Sequence, residues 1–164
     1  MSANAITVPV NAHELPPRSR TSFHPEPFAS RMQGRQKRQL GDLFGLKNFG
    51  VNLTSLAPKS VSSLRHSHLK QDEFIYVVQG YPTLNTNEGK FVLSPGMCIG
   101  FPAGTGNAHN LCNETVEVVF YLEIGDRTPG EEVSYPDDDL KIETIDGKAT
   151  YLHKDGTRYS THEG

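Results

Sequence analysis

Four side chains able to hold a metal ion stand at spacings that could bring them together: His66, His68, Glu73 and His109. In an extended strand, residues two apart point the same way, so Arg65-His66-Ser67-His68 presents two imidazoles on one face and Ser67 on the other. The stretch 69–72 can turn, and Glu73 then opens a strand that could return its carboxylate beside the imidazoles. Asp72 is the competing carboxylate, but in an extended strand it faces away. His109 follows a tight turn, Phe101-Pro102-Ala103-Gly104-Thr105-Gly106-Asn107-Ala108, and begins a strand in which His109, Leu111 and Asn113 share a face. Imidazoles with one carboxylate suit a borderline divalent ion: Fe, Mn, Ni or Zn. Such a set leaves one or two coordination positions open, and an open position separates a catalytic site from a closed structural one. The ion could polarise a carbonyl or carboxylate, or activate O2 or water.

Each piece alone has a plainer explanation. A His-x-His pair is often a surface accident, and a histidine beside a Gly-rich turn is often mere polar surface. Gly104-x-Gly106 could suggest a phosphate loop, but no helix pattern follows it. Cys98 and Cys112 are too few for a disulfide framework and read as small hydrophobes, which points to a reducing cytoplasm. Asp137-Asp138-Asp139 reads as a solvated loop, because the downstream spacing of a calcium loop is missing. Arg31, Arg35, Lys37 and Arg38 form the densest positive cluster. They could bind an anion or nucleic acid. The acidic balance of the chain and the lack of interleaved aromatics favour instead a solvated face or ion pairs with a neighbouring subunit.

The elements that must position these groups are short and β-rich. Strands are expected over 51–57, 63–66, 73–79, 82–85, 90–93, 97–101, 109–112 and 116–124, separated by Gly, Pro, Asn and Ser. Two more, 141–145 and 149–152, flank Asp146-Gly147, a hairpin signal. No strand–helix–strand rhythm appears, so the pattern implies an all-β sandwich or barrel. Residues 1–28 read as an extended N-terminal arm, and 29–164 as a single β-barrel domain. The segment 29–45 is expected to form at most a short helix or turn, broken by Gly34 and Gly41.

In the strand 73–79, Ile75 and Val77 share the face of Glu73, while Phe74, Tyr76 and Val78 form an apolar opposite face. Both faces should be covered, which suggests a homodimer. Ile75, Val77, Phe101, Leu111, Phe120 and Leu122 are the expected pocket wall. Asn113 and Gln79 are candidate hydrogen-bonding groups more simply read as packing, as are Tyr76 and Tyr121 for acid/base work.

The chain has 164 residues, with 35% hydrophobic, 21% charged and a net charge of -3. That suits one folded domain with no overall attraction to nucleic acid or anionic lipid. No apolar run reaches the ~20 residues that span a bilayer, and the N-terminus has neither the basic leader nor the apolar stretch of a secretory signal.

The motif spacing resembles the cupin superfamily. Its first motif is similar to His66, His68, four residues, Glu73, six residues and Gly80, with Ser60 where the leading Gly would stand. Its second resembles Gly96, five residues, Pro102 and Gly104, followed by His109 and Asn113 after a two-residue insertion. The motifs span 60–113, and the strand pattern extends the likeness to about 125. The whole chain is similar to a poorly characterised bacterial-type group of single-domain cupins. The resemblance implies a double-stranded β-helix (jelly-roll) barrel with one divalent ion on His66, His68, Glu73 and His109. It does not imply a substrate. The expectation is a metal-dependent enzyme acting on a small oxygenated molecule, a sugar derivative or carboxylate. The competing expectation is a binding or sensing module that holds its ligand through the metal. No helix-turn-helix pattern is present, so a DNA-binding regulator is not expected.

Overall fold

A computed structural model describes residues 6–20 and 22–160. Twelve strands are present among them: β1 Arg35–Gln39, β2 Phe49–Leu56, β3 Ser67–His68, β4 Glu73–Gln79, β5 Thr83–Thr86, β6 Gly89–Val92, β7 Cys98–Phe101, β8 Asn110–Cys112, β9 Val119–Asp126, β10 Val133–Tyr135, β11 Leu140–Ile145 and β12 Lys148–Leu152. One helical turn, α1 Leu40–Leu43, links β1 to β2.

One antiparallel sheet runs β1-β2-β9-β4-β7. Facing it are two shorter sheets, β12-β11-β10-β3 and β6-β5-β8. The segment 61–66 joins them edge to edge, through bridges Val61↔Cys112 and His66↔His109. Between those bridges the 61–66 side holds two more residues than its partner, so Ser62–Arg65 forms a bulge. Bulges of this kind re-aim side chains beside functional sites. The two layers form the expected jelly-roll barrel.

Apolar alternation fills one end. Leu56, Ile75, Val77, Leu84, Leu93, Phe101, Leu111, Val119 and Tyr121 pack into one cluster. A second, of Phe28, Leu64, Val133, Tyr135 and Leu140, closes the far sheet. Each fully buried aliphatic side chain contributes about 1.5–3 kcal/mol. Gly80 ends β4 at φ 84, where an added Cβ would lie 2.9 Å from Val119 Cγ2, so only glycine fits. The hairpin β11–β12 turns at Asp146 (φ 51) and Gly147 (φ 74), the left-handed pair that a two-residue loop requires.

The structure corrects several expectations. Residues 35–39 form a strand, an edge strand too polar to be recognised by alternation. β10 was not anticipated either, because Val133-Ser134-Tyr135 is only three residues long. The expected strand 63–66 falls largely in that bulge, with His66 bridging His109, and β3 begins at Ser67. In β9 the inward residues are Val119 and Tyr121, both fully buried, and not Phe120 and Leu122. Both faces of Val-Phe-Tyr-Leu are apolar, so alternation alone could not fix the parity. Phe120 lies under the N-terminal arm, edge-on to His13 at 4.9 Å. Cys98 is exposed and not a buried hydrophobe.

The arm runs along β1, where Arg18 N–H donates to Lys37 O at 2.9 Å and Arg38 Nε to Leu15 O at 2.8 Å. It then crosses to the second sheet, where Phe28 enters the core. No helix among the described residues is long and apolar enough to cross a membrane.

Candidate metal centre and barrel cavity

Each expected ligand arrives on a different piece of the scaffold. His66 follows the bulge and bridges His109, β3 carries His68, the start of β4 carries Glu73, and His109 stands between the Gly104–Gly106 turn and β8. Backbone bonds between His66 and His109, N to O at 3.1 and 2.8 Å, lock two of these segments together. Gly104 N–H donates to His68 O at 2.9 Å and ties in the turn.

The three imidazole Nε2 atoms converge on one oxygen. Glu73 Oε2 lies 3.2 Å from His68 Nε2, 3.3 Å from His109 Nε2 and 3.8 Å from His66 Nε2. Ligand atoms about 2.1 Å from a common ion lie about 3.0–3.4 Å apart in octahedral or tetrahedral geometry. His66, His68 and Glu73 offer ligand atoms within 4.8 Å of one another, and His109 reaches the same carboxylate.

The opposite edge of each ring faces an acceptor. His66 Nδ1 is 2.9 Å from Leu64 O and 3.0 Å from Ser63 Oγ. His109 Nδ1 is 3.1 Å from Asn107 O. His68 Nδ1 is 3.6 Å from Glu131 Oε2. A ring whose Nδ1 carries the hydrogen presents its Nε2 lone pair inward, the tautomer that metal binding needs. Stacking fixes two of the rings: His109 on Phe101, centroids 3.4 Å apart, and His66 on Tyr135 at 5.9 Å. Burial lowers the pKa of His66 to about 4, against the pull of Glu73. Burial also opposes protonation of His68, but the hydrogen bond and charge of Glu73 outweigh it and the pKa rises. Burial would raise Glu73, yet hydrogen bonds from His109 and His68 hold its carboxyl well below the usual range. Three imidazoles whose Nε2 atoms turn lone pairs inward once they give up their protons, around a buried carboxylate, make a place for a cation, so the donor set fits a divalent ion of the borderline class. Asp72 points elsewhere, accepting from Ala103 N–H at 2.8 Å.

These groups form one wall of a cavity of 380 Å³ between the two cores. The sequence suggested an apolar wall; the structure gives a polar one. β1 turns Arg35 and Lys37 inward, in place of the expected solvated face or ion pairs with a neighbouring subunit. Arg35 is only 4% exposed and donates to Ser62 O; Lys37 pairs with Glu123 of β9. Tyr121 Oη donates to Glu123 Oε2 at 3.4 Å, and burial, followed by the charge of Glu123, pushes its pKa well above 10. From the arm, His24 brings Nε2 to 2.9 Å from Tyr135 Oη and Nδ1 to 3.0 Å from Ser22 Oγ. Burial, then Arg35, lowers its pKa to about 4, so the ring is neutral at physiological pH. Tyr76 faces outward. Asn113 is buried but donates to Leu56 O and Glu117 O, and Gln79 is exposed, so neither reaches the cavity. His24 and Glu123 were missed from sequence. Glu123 was legible only through the parity of β9; His24 lies on an arm with no periodicity.

The family of cupin domains matches residues 52–125. A sugar phosphate isomerase of the cupin superfamily from Silicibacter pomeroyi is 38% identical, over 85% of this chain and 89% of that one, with a TM-score of 0.81. The chain belongs to the cupin superfamily. This cupin is also similar to a protein from Acidithiobacillus ferrooxidans named for the same activity, at 26% identity over 88% of this chain and 100% of that one, TM-score 0.70. The polyketide cyclase RemF of Streptomyces resistomycificus, 17% identical over 74% of this chain and 80% of that one, TM-score 0.60, shares the fold. No curated protein matches the chain.

Proposed function

We propose that this cupin is a metal-dependent enzyme acting on a small oxygenated molecule, a sugar phosphate, by isomerisation inside the barrel. The observation that carries the reading is the convergence of His66, His68 and His109 on Glu73 at the wall of a cavity that also holds proton-transfer groups. The cupin from Silicibacter pomeroyi supports the substrate class.

The ligands would be His66, His68, Glu73 and His109, and a divalent ion bound there would act as a Lewis acid on neighbouring oxygens. The chain's own groups have separate tasks. Glu123, held by Lys37 and Tyr121, is a carboxylate able to take a proton from a carbon beside a carbonyl and return it to the next carbon. Tyr121, kept protonated by burial, donates a hydrogen bond without competing as a base. Neutral His24, with its two ring nitrogens engaged by Ser22 Oγ and Tyr135 Oη, fixes the Tyr135 hydroxyl at the cavity wall. Ile75 and Val133 are the aliphatic side chains of the cavity lining and limit water beside the reacting carbons. A carboxylate in the cavity gives proton-transfer chemistry an agent, which favours the enzyme over a binder or sensor.

Elemental analysis of untagged protein and of His68→Ala, paired with turnover, tests this. The expected result is about one ion per chain, lost in a folded variant, together with solvent deuterium entering the carbon beside the carbonyl of a sugar phosphate only when metal is present. Metal in neither protein, and no exchange across a panel of aldose and ketose phosphates, would sink the proposal.

The reading includes a homodimer in a reducing cytoplasm. Phe74 and Tyr76, on the outer face of β4, are 39% and 40% exposed, an apolar surface that a second copy would cover. A monodisperse monomer by light scattering at micromolar concentration would remove that part.

A further inference from the structure

Two glycines in the cavity wall have no structural reason to be glycine. Gly50 lies in β2 and Gly125 in β9, inside strands, where a missing side chain weakens the element. Other glycines are explained by backbone or by contact. Gly80 needs its positive φ, Gly41 of α1 would set a Cβ 2.9 Å from Val51 N, and Gly100 of β7 sits on the outer face with the Phe74 ring 3.9 Å from its Cβ position. Neither Gly50 nor Gly125 has a positive φ. An added Cβ would make ordinary contacts, 3.6 Å from Arg127 Nη2 at Gly50 and 3.5 Å from Asp72 O at Gly125.

Register places both beside the candidate metal centre. Gly50 pairs with Gly125, Gly125 with Glu73, and Glu73 with Phe101. The four positions therefore form one row across the inner face of the sheet. On one flank of Glu73 the row is filled, because Phe101 stacks on His109. On the other flank it is bare backbone for two strands, roughly 10 Å at the usual strand spacing. Both glycines line the 380 Å³ cavity together with Glu73 and the three histidines. Arg127 lies over Gly50, held by Leu46 O and Asp42, so the open floor is Gly125. Beyond its chain neighbours, Asp72 O is the one heavy atom of the described residues within 4 Å of the Cβ position there. A side chain at 125 would grow into the cavity.

We infer that Gly125 is a specificity-determining residue: its bare backbone beside Glu73 admits a planar ligand group with two adjacent oxygens, the hydroxy-carbonyl end of a sugar phosphate, on the flank of Glu73 away from Phe101. This rests on the reading of the cavity as a metal-dependent sugar phosphate site and adds what sets the shape of the group admitted. Glycine is the residue that lets a ligand approach the backbone closely. Two oxygens on neighbouring carbons can fill two open coordination positions within one plane, and a flat floor accepts that plane. Alanine would raise one carbon from the floor and valine three.

Calorimetric titration with acetohydroxamate, a planar chelator with two adjacent oxygens, tests the inference apart from turnover. The full chain loaded with a divalent ion is compared as wild type, Gly125→Ala, Gly125→Val and Gly100→Ala, the last adding its carbon on the outer face beside Phe74. Acetohydroxamate should bind wild type and Gly100→Ala alike, about tenfold more weakly to Gly125→Ala and about 100-fold more weakly to Gly125→Val. Fluoride, a single atom, should bind all four equally. Metal affinity should be unchanged, and Gly125→Ala should melt no lower than wild type, because alanine at a permitted backbone conformation restricts the unfolded chain. If Gly125→Val fails to fold by circular dichroism, Gly125→Ala decides. Unchanged hydroxamate affinity in the Gly125 variants, an equal loss of fluoride, or a lower melting temperature in Gly125→Ala overturns the inference. Turnover separates the two proposals. Sugar phosphate isomerisation with unchanged KM in Gly125→Ala would refute the role of Gly125 and leave the enzyme reading standing. Hydroxamate binding that falls from glycine to alanine to valine, in a metal-loaded protein that turns over no sugar phosphate, would do the reverse. A chain that takes up no metal would sink both.

Discussion

Replacing Glu131 by Gln should weaken metal binding about 10–50-fold without unfolding the barrel. Glu131 touches none of the other ligands and acts through His68. Its Oε2 and His68 Nδ1 are 3.6 Å apart, and each is buried with no closer hydrogen-bond partner. Its other oxygen, Oε1, accepts from Leu69, Lys70 and Glu132 N–H at 2.9, 3.2 and 2.8 Å. Glutamine keeps that second task and loses the first. With its oxygen on the three backbone donors, its amide nitrogen turns a donor toward an Nδ1 that is itself a donor; flipping the amide orphans the backbone instead. At an effective dielectric constant of about 20, unit charges 3.6 Å apart interact by about 4.6 kcal/mol. A metal-bound imidazole carries a fraction of a charge, about a third to a half, which gives about 1.5–2.3 kcal/mol and the stated loss of affinity. Competition against a chromophoric chelator measures it, with His68→Ala as the reference for a missing ligand. Affinity within twofold of wild type, in a variant whose metal-free melting temperature is also unchanged, would refute the idea that Glu131 orients His68.

Other outcomes are as definite. Glu123→Gln should retain its metal but lose 10²–10⁴-fold in deuterium exchange at the substrate carbon, about the worth of a general base; exchange within threefold of wild type excludes Glu123 from that role. His24, with its pKa lowered to about 4, binds fewer protons folded than unfolded between pH 6.5 and 4. Stability therefore falls as pH drops through that window, by about 2–3 kcal/mol; urea unfolding of His24→Asn should show a shallower pH slope than wild type, and an identical slope would contradict the assignment. Gly80→Ala forces a left-handed alanine against Val119 and should cost about 1–3 kcal/mol; equal denaturation midpoints would mean the turn relaxes freely.

The barrel was legible because local rules agreed with one another. Short apolar runs between turn residues marked most strands, and Asp146-Gly147 marked its hairpin through a backbone conformation few other pairs adopt. The elements that escaped are those whose identity is set by partners distant in sequence. β1 reads Arg-Gln-Lys-Arg-Gln, with neither apolar alternation nor strand propensity; it is a strand because β2 offers it a free edge from Leu56 to Asn52. β10 owes its existence to pairing with β3 and β11. In β9 the deciding residue was Glu123, since an acid on one face of an otherwise apolar strand looks like the solvent face until the cavity it enters is known.

The same division separates the two halves of the candidate site. His66, His68, Glu73 and His109 could be named as a set because each lies in or beside extended backbone, where spacing fixes side-chain direction. The groups opposite them, Arg18, His24, Arg35, Lys37 and Glu123, come from the arm, an edge strand and β9, and composition made the cations look like solvated surface. What turns them into a site is enclosure. Arg35, at 4% exposure, is held by Ser62 O at the cavity wall, whereas the same residue on an open edge would mean little. In this barrel the residues that would hold a metal follow a spacing rule, and the residues lining the cavity opposite them are recognised only once the fold encloses them. Variants that change those enclosed residues while leaving Glu73 and the three histidines intact are therefore expected to alter which molecule binds before they alter whether metal does.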